Sequence, residues 1–463
     1  MRRRILALLV VAIPALGFAA EAPPAQRILD AALADSTAYD RLAHLCDRIG
    51  HRLSGSPQLE RAVTWAEATL KADGADRVWK DDVPVPVWIR GEERGRIVAP
   101  VEHPMKLLTL GMSLATPPEG ITGEVVMAAS LDELRALGEK VRGKIVFFNR
   151  PIERNGEGER GYGFASNLRY AGVIEAAQLG AVAMIIRSLG TVDYHLPHTG
   201  TTAYDETKPR VPAAAITAED AGRIARFLAA GETVRVHLVL RPERRADGPS
   251  HNVLAEIRGR EKPDEVVVLG GHLDSWDVGC GAQDNGAGVV VTMETIRLLK
   301  KLGLRPRRTI RAVLFTNEEN GGRGGKDYAT RYAAAMDRHV AAIEIDSGGA
   351  RPTGFGVSAG TGGLEIVSRL AAPLAVIDAD TVKEGGGGAD TGPMRKHGVP
   401  LLGLRPDTTR YFDIHHTEAD TLDKVDPHDL AMLSGAMAVM AFSLADAEET
   451  LPRIPEDRRD SRR

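Results

Sequence analysis

The sequence predicts an α/β fold with a largely parallel sheet covered by helices. From residue 251 onward, short apolar runs at 266–269, 310–315, 340–345 and 400–404 read as strands, and 288–302 and 364–374 read as helices between them. Strand, loop and helix in repeated alternation imply crossover connections, which build parallel sheets. The composition agrees: 43% of the 463 residues are hydrophobic and 26% charged, enough apolar material for a large core. A chain of this length is expected to form two or three folded units.

The elements follow in order. Arg2, Arg3 and Arg4, an apolar run at 5–13 and small residues at 17–20 have the layout of a secretory signal peptide cut near Ala19 or Ala20. The expected location is therefore secreted or periplasmic. Residues 36–49 carry Tyr39, Leu42, Leu45 and Ile49 at helical spacing. Pro57 opens the next helix, with Leu59, Val63, Ala66 and Leu70 on one face, and Gly74 stops it. Val83, Val85, Val87 and Ile89 alternate as a strand, and Pro84 and Pro86 confine it to a sheet edge.

The texture changes between 118 and 243. Short strands at 124–127, 144–148, 183–186 and 234–240 alternate with helices at 172–179 and 218–227, and a polar Pro/Gly-punctuated stretch at 241–249 closes the block. It holds no cluster of metal-ligand or nucleophile type and reads as an inserted accessory domain. The division is then a signal peptide at 1–20, a first part of the main domain at 21–117, the insertion at 118–243, the catalytic part at 244–452 and a disordered tail at 453–463. No segment after the signal reads as a membrane span. A net charge of −4 offers no field for nucleic acid. Cys46 and Cys280 are the two cysteines; one disulfide is permitted after export, but two buried thiols are expected.

Sheets of this class carry their sites beyond the carboxyl ends of the strands. Polar clusters stand there: Gly-Gly-His-Leu-Asp-Ser-Trp at 270–276, Gly-Ala-Gln-Asp-Asn-Gly at 281–286, Thr-Asn-Glu-Glu-Asn-Gly-Gly at 316–322, Asp-Ser-Gly-Gly at 346–349 and His-His-Thr-Glu-Ala-Asp-Thr at 415–421. Each alone has an ordinary reading as a turn or solvated loop. Together they bring imidazoles and carboxylates, without thiolates, to one rim of the sheet, which suits zinc at an open catalytic site. Two metals need a bridging carboxylate and terminal ligands on each side, and one further carboxylate must move the proton of the attacking water. The neighbouring Glu318 and Glu319 can divide these tasks, because adjacent residues at a strand end point different ways.

These motifs resemble the di-zinc peptidases of family M28 over nearly the whole mature chain. Leu-Cys-Asp-Arg-Ile-Gly-His-Arg-Leu-Ser-Gly-Ser-Pro at 45–57 resembles the N-terminal signature of one branch, and the segment 270–284 and the His-His-x-x-x-Asp-Thr motif at 415–421 resemble motifs specific to the same branch. The resemblance implies a three-layer αβα zinc-exopeptidase fold with a mostly parallel mixed sheet, and a protease-associated-like insertion. It further implies two Zn²⁺ per chain, His272 and Asp346 on one, Glu319 and His416 on the other, and Asp284 bridging. Glu318 would be the general base, and Asp274 would fix the ring of His272. Asn285, where that branch tends to have Asp, is a departure that leaves the ligand set complete.

The activity implied is exopeptidase cleavage of dipeptides or short peptides, of carboxypeptidase or dipeptidase type, with an aminopeptidase as the alternative. A glutaminyl-cyclase-like acyltransferase and a non-catalytic receptor-like module are the readings from other classes. A homodimer is implied by the resemblance alone. Arg405 and Arg410 are candidates to grip a free carboxylate, and Asp390, in a glycine-rich loop, is a candidate to shape the pocket.

Overall fold

The computed structural model describes residues 22–155 and 158–460, which carry two eight-stranded mixed sheets. The expected signal peptide lies outside the described residues. The main sheet runs in the order Arg77–Ile89, Glu243–Ile257, Arg308–Phe315, Lys262–His272, His339–Glu344, Leu401–Pro406, Pro352–Ser358, Thr381–Glu384. Its central four strands are parallel. Antiparallel pairs flank them, so the sheet is mixed.

Both faces of the centre are buried, as period-two side chains of a covered sheet require. Val267 and Leu269 enter a large core with the helices Pro57–Ala72, Ala287–Lys301 and Pro427–Asp446. Val266 and Val268 enter a smaller one with Tyr328 and Ala329 of the helix Arg323–Arg331. Three layers result, helices over sheet over helices. Pro427–Asp446 is long and apolar enough by composition to cross a membrane, contrary to the sequence reading. Its side chains from Leu430 to Ala445 are mostly buried in the core, and Asp426 caps its start through the amides of His428 and Asp429. The helix Pro57–Ala72 is likewise capped, by Ser56 accepting from the Leu59 amide.

The strand Arg77–Ile89 occupies the edge, where Pro84 and Pro86 cost no ladder bond. The polar stretch 241–249 is no break: it belongs to the strand Glu243–Ile257, which pairs Pro249 with Pro84 and Glu243 with Ile89. Between these paired ends the chain builds the second sheet, ordered His103–Met105, Glu93–Ala99, Arg235–Leu240, Ile121–Ala128, Ile145–Phe148, Ala183–Arg187, Ala213–Ile216, Leu107–Thr109. The second unit therefore begins near Glu93, not at 118. Its first strands are held by ladders to Arg235–Leu240 and Ala213–Ile216, partners more than a hundred residues away that local composition does not reveal.

The expected disorder of 453–463 is also corrected. Arg453 donates to the carbonyls of Met336, Asp337, His339 and His397, and Ile454 is buried. Residues 461–463 lie outside the described residues. Cys46 and Cys280 are both free, the first buried and the second partly so.

His339, at the start of its strand, is buried beside Tyr328 Oη, and burial pushes its imidazole down to about 4. It stays neutral in the fold but takes a proton near pH 6.5 when unfolded, so the fold loses stability as pH falls from about 6.5 to about 4. The full loss is on the order of 3 kcal/mol. Urea unfolding at pH 7 and pH 4.5 should show this slope in the wild type and a flatter one in His339→Gln.

Candidate active site

The site is built from strand ends. The strand Lys262–His272 delivers His272 at its last position, 1% exposed. Its Nδ1 lies 3.0 Å from the Asp274 carbonyl oxygen, which leaves Nε2 facing the acids: 3.0 Å from Asp346 Oδ1 and 3.2 Å from Asp284 Oδ1. Asp346 follows the strand His339–Glu344. Asp284 sits in a tight turn, 282–286, before the helix Ala287–Lys301, and its second oxygen is 3.1 Å from His416 Nε2. His416 Nε2 is in turn 3.2 Å from Glu319 Oε2.

The result is two three-residue groups, His272 with Asp284 and Asp346, and Asp284 with Glu319 and His416; within each, the donor atoms lie within 4.8 Å of one another. Asp284 belongs to both. Glu318 belongs to neither and lines the adjoining cavity. Asp274 does more than the sequence suggests. Its ring contact with His272 runs mainly through the backbone carbonyl, while its carboxylate accepts from the amides of Glu318, at 3.0 Å, and Glu319, at 3.2 Å. Ser54 Oγ reaches the same carboxylate at 3.4 Å and accepts from Asn317 Nδ2, so the 45–57 segment braces the Glu318–Glu319 turn. Asn317 and His416 hold φ of 61° and 57°, a region non-glycine residues rarely occupy.

The electrostatics show what this arrangement needs. Burial, then the neighbouring carboxylates, push Glu318 and Glu319 well above the usual carboxylate range. Burial opposes the charge on Asp284, yet bonds to His272, His415 and His416 hold it well below that range. Glu319 Oε1 is buried without a hydrogen-bond partner. Acids crowded at the floor of a cavity, most of them largely buried and with an orphaned oxygen among them, match the demand of a cation pair. Nitrogen and oxygen donors without thiolate fit zinc.

The model of peptidase family M28 matches residues 252–441. Carboxypeptidase Q of Bos taurus is 39% identical over 420 residues, 91% of this chain and 88% of that protein. This chain belongs to peptidase family M28. A peptidase M28 precursor from Shewanella amazonensis, 37% identical, has the same architecture with a TM-score of 0.90 over 93% of this chain and 98% of that one. An aminopeptidase from Aneurinibacillus, 23% identical with a TM-score of 0.65 over 93% of this chain and 98% of that one, shares the fold.

The M28 site draws on residues that sequence reasoning missed. Asp420 accepts from the amides of Gln283, at 2.8 Å, and Asp284, at 3.1 Å, which fixes the turn that carries Asp284. Burial pushes its carboxyl up to about 7. The only sequence signal was its place four residues after His416. The insertion, which holds no local cluster of metal-ligand type, still reaches the centre: His198 Nε2 is 3.1 Å from His415 Nδ1, and its ring stacks on His416 with centroids 4.9 Å apart. His415 also contacts Asp284, at 3.1 Å, and the three imidazoles form a third group within 4.8 Å. Thr199 completes the seam, its amide donating to the His416 carbonyl.

A cavity of about 690 Å³ opens over the centre, lined by Asp284, Glu318, Glu319 and Asp346 together with Tyr162 and Arg169 of the insertion. Three sequence candidates are not in its wall. Arg410 points outward, 77% exposed and paired with Asp413. Arg405 is exposed and lines a smaller, adjoining cavity that shares Asp346, Ser347 and Thr408 with the first. Asp390 is fully buried. The glycines before it serve close packing: a Cβ on Gly386 would lie 2.3 Å from the Gly356 carbonyl oxygen, and one on Gly388 2.1 Å from Glu344 Oε1.

Asp420→Asn keeps one acceptor oxygen but cannot hold both amides, so metal affinity should fall roughly 10- to 100-fold, as losses of a ligand's supporting bonds do. Competition with a chromophoric zinc chelator measures it; unchanged affinity would mean that Asp420 does not position Asp284.

Proposed function

We propose that this M28 peptidase is an exported, zinc-dependent exopeptidase that hydrolyses dipeptides or other short peptides, of carboxypeptidase or dipeptidase type. The observation that carries the reading is the pair of donor groups sharing Asp284 at the floor of a cavity that Glu318 also lines. His272 and Asp346 would hold one zinc, Glu319 and His416 the other, with Asp284 between them. Zinc bound there supplies Lewis acidity toward the scissile carbonyl and acidifies water.

The chain's own groups do the rest. Glu318 faces the cavity and is bound to neither group, so it is free to take the proton of the attacking water and pass it to the leaving amine. Its raised proton affinity, caused first by burial, suits a base that must hold a proton between two steps. Asp274 fixes the Glu318 amide and thereby the direction of the side chain. The size of the cavity fits a short peptide, and the carboxypeptidase Q relatives support action on a substrate with a free carboxyl end. We read the insertion as a protease-associated-like domain that roofs the cavity, and the basic and apolar residues at 2–13 as the export signal.

With zinc-loaded protein and an unblocked dipeptide, Glu318→Gln should lower kcat by roughly 10²- to 10⁴-fold, the usual contribution of a general base. Zinc content by atomic absorption should not change. Asp284→Ala should lose both zinc and activity. Wild-type rates in Glu318→Gln, or full zinc retention in Asp284→Ala, would contradict the roles given to these residues.

A further inference from the structure

We propose that Cys46 and Cys280 are a redox pair whose disulfide ties the 45–57 segment to the turn that carries Asp284. The oxidising surroundings it needs follow from the export reading of the proposed function, while the chemistry is set by the two side chains and their neighbours.

The two thiols are remote along the chain and neighbours in the fold. Cys46 lies in the helical turn Leu45–Ile49 and is 6% exposed. Cys280 stands just before the turn 282–286, between Gly279 and Gly281, whose φ of 63° and 59° bend the chain sharply on either side of it. Three contacts bring these stretches together. Arg52 Nη1 donates to the carbonyls of Gly50, at 3.0 Å, and Cys280, at 2.7 Å, so one nitrogen holds both. Leu42 and Leu45 pack on Gly286 so closely that a Cβ there would lie 2.8 Å from Leu42 Cδ1 and 3.5 Å from Leu45 Cδ2. Cys280 packs on the core to which Cys46 belongs, and the two thiols share a hydrogen bond. Neither cysteine belongs to the donor groups of the catalytic centre, and both are free thiols in this structure.

The pair is asymmetric in the way that thiol–disulfide exchange uses. Cys280 is half-buried, and its contact with Cys46 lowers its thiol below the ordinary range; Arg52 favours that thiolate and Asp420 opposes it. The same contact, then burial, pushes the Cys46 thiol up. Cys280 is therefore the point of entry and Cys46 the resolving thiol. The Cys280 thiolate attacks one sulfur of an incoming small-molecule disulfide, that S–S bond breaks, and one half of the oxidant leaves as a thiolate. Cys46 then gives up its proton and attacks the Cys280 sulfur of the mixed disulfide, releasing the other half. The two protein thiols have lost two protons and two electrons, and the oxidant has been reduced to two thiols. The bond closes a long loop, so it narrows the unfolded ensemble, and it adds a covalent tie beside the hydrogen bonds of Arg52.

The test incubates the reduced, folded full chain with oxidised glutathione, blocks remaining thiols with iodoacetamide in denaturant, and maps the unreduced peptides by mass spectrometry. The wild type should yield one cross-linked peptide pair and no alkylated Cys46 or Cys280. Its melting temperature should lie about 5–15 °C above that of the reduced chain, the range for a disulfide of ordinary strength in a protein of this size. Cys46→Ser should stop at a glutathione adduct on Cys280, and Cys280→Ser should leave Cys46 unmodified. The wild type decides the matter if either variant does not fold. Two thiols still open to alkylation, or a glutathione adduct on Cys280 that Cys46 does not displace, overturns the proposal. A cross-link that leaves the melting temperature unchanged overturns its part as a brace. None of these readouts involves peptide hydrolysis, so their failure leaves the exopeptidase reading standing.

Discussion

Five carboxylates, Asp274, Asp284, Glu318, Glu319 and Asp346, crowd together at the carboxyl ends of the central strands, three of them buried and two half-buried at the floor of a cavity. Their mutual repulsion is the constraint around which the neighbouring structure is arranged. Imidazoles from His272, His415 and His416 answer part of it by meeting Asp284 at 3.1–3.2 Å. Backbone amides answer another part, since both oxygens of Asp274 are taken up by the Glu318–Glu319 turn. What is left over, the unmet oxygen of Glu319 and the raised proton affinity of Glu318, is the portion a cation pair would neutralise.

Holding such groups in place requires rigid support, and it comes from the parallel core. His272 ends a strand that is paired on both sides, and Asp346 and Glu319 come just after the strands that flank it. The turns between them are tied by few but well-buried bonds. Arg52 gathers the carbonyls of Leu273, Cys280 and Gly281, so the loop after His272 and the turn before Asp284 are joined through one guanidinium. Asp420 joins that turn to the His415–His416 loop.

The catalytic half of this arrangement was legible because its residues are chemically distinctive and fall directly after apolar runs. His272, Asp284, Glu318, Glu319, Asp346 and His416 could all be named, and the structure brings them within contact of one another or of one cavity. The roof was not legible. His198 and Arg169 sit in a loop and a helix of ordinary composition, and nothing local marks a histidine that will meet partners more than two hundred residues away or an arginine that will line the same cavity. Arg405 and Arg410 were candidates because they precede His416 in sequence, yet closeness along the chain put neither in the wall of the main cavity. The start of the insertion was misjudged for a related reason: the strands Glu93–Ala99 and Leu107–Thr109 are specified by cross-strand partners, not by their own pattern.

The two walls of the cavity rest on separate hydrophobic cores, one set around the main sheet and another around the sheet of the insertion. Cooperative opening follows such cores, so the two walls need not loosen at the same temperature. His272, Asp284, Glu319, Asp346 and His416 come at the end of or after strands of the main sheet, whereas His198, Tyr162 and Arg169 of the same cavity and its rim belong to the insertion. On warming, the wall built by the insertion can loosen while the strand ends of the main sheet keep their arrangement, so an ordered main sheet is a poor gauge of whether the molecule remains intact.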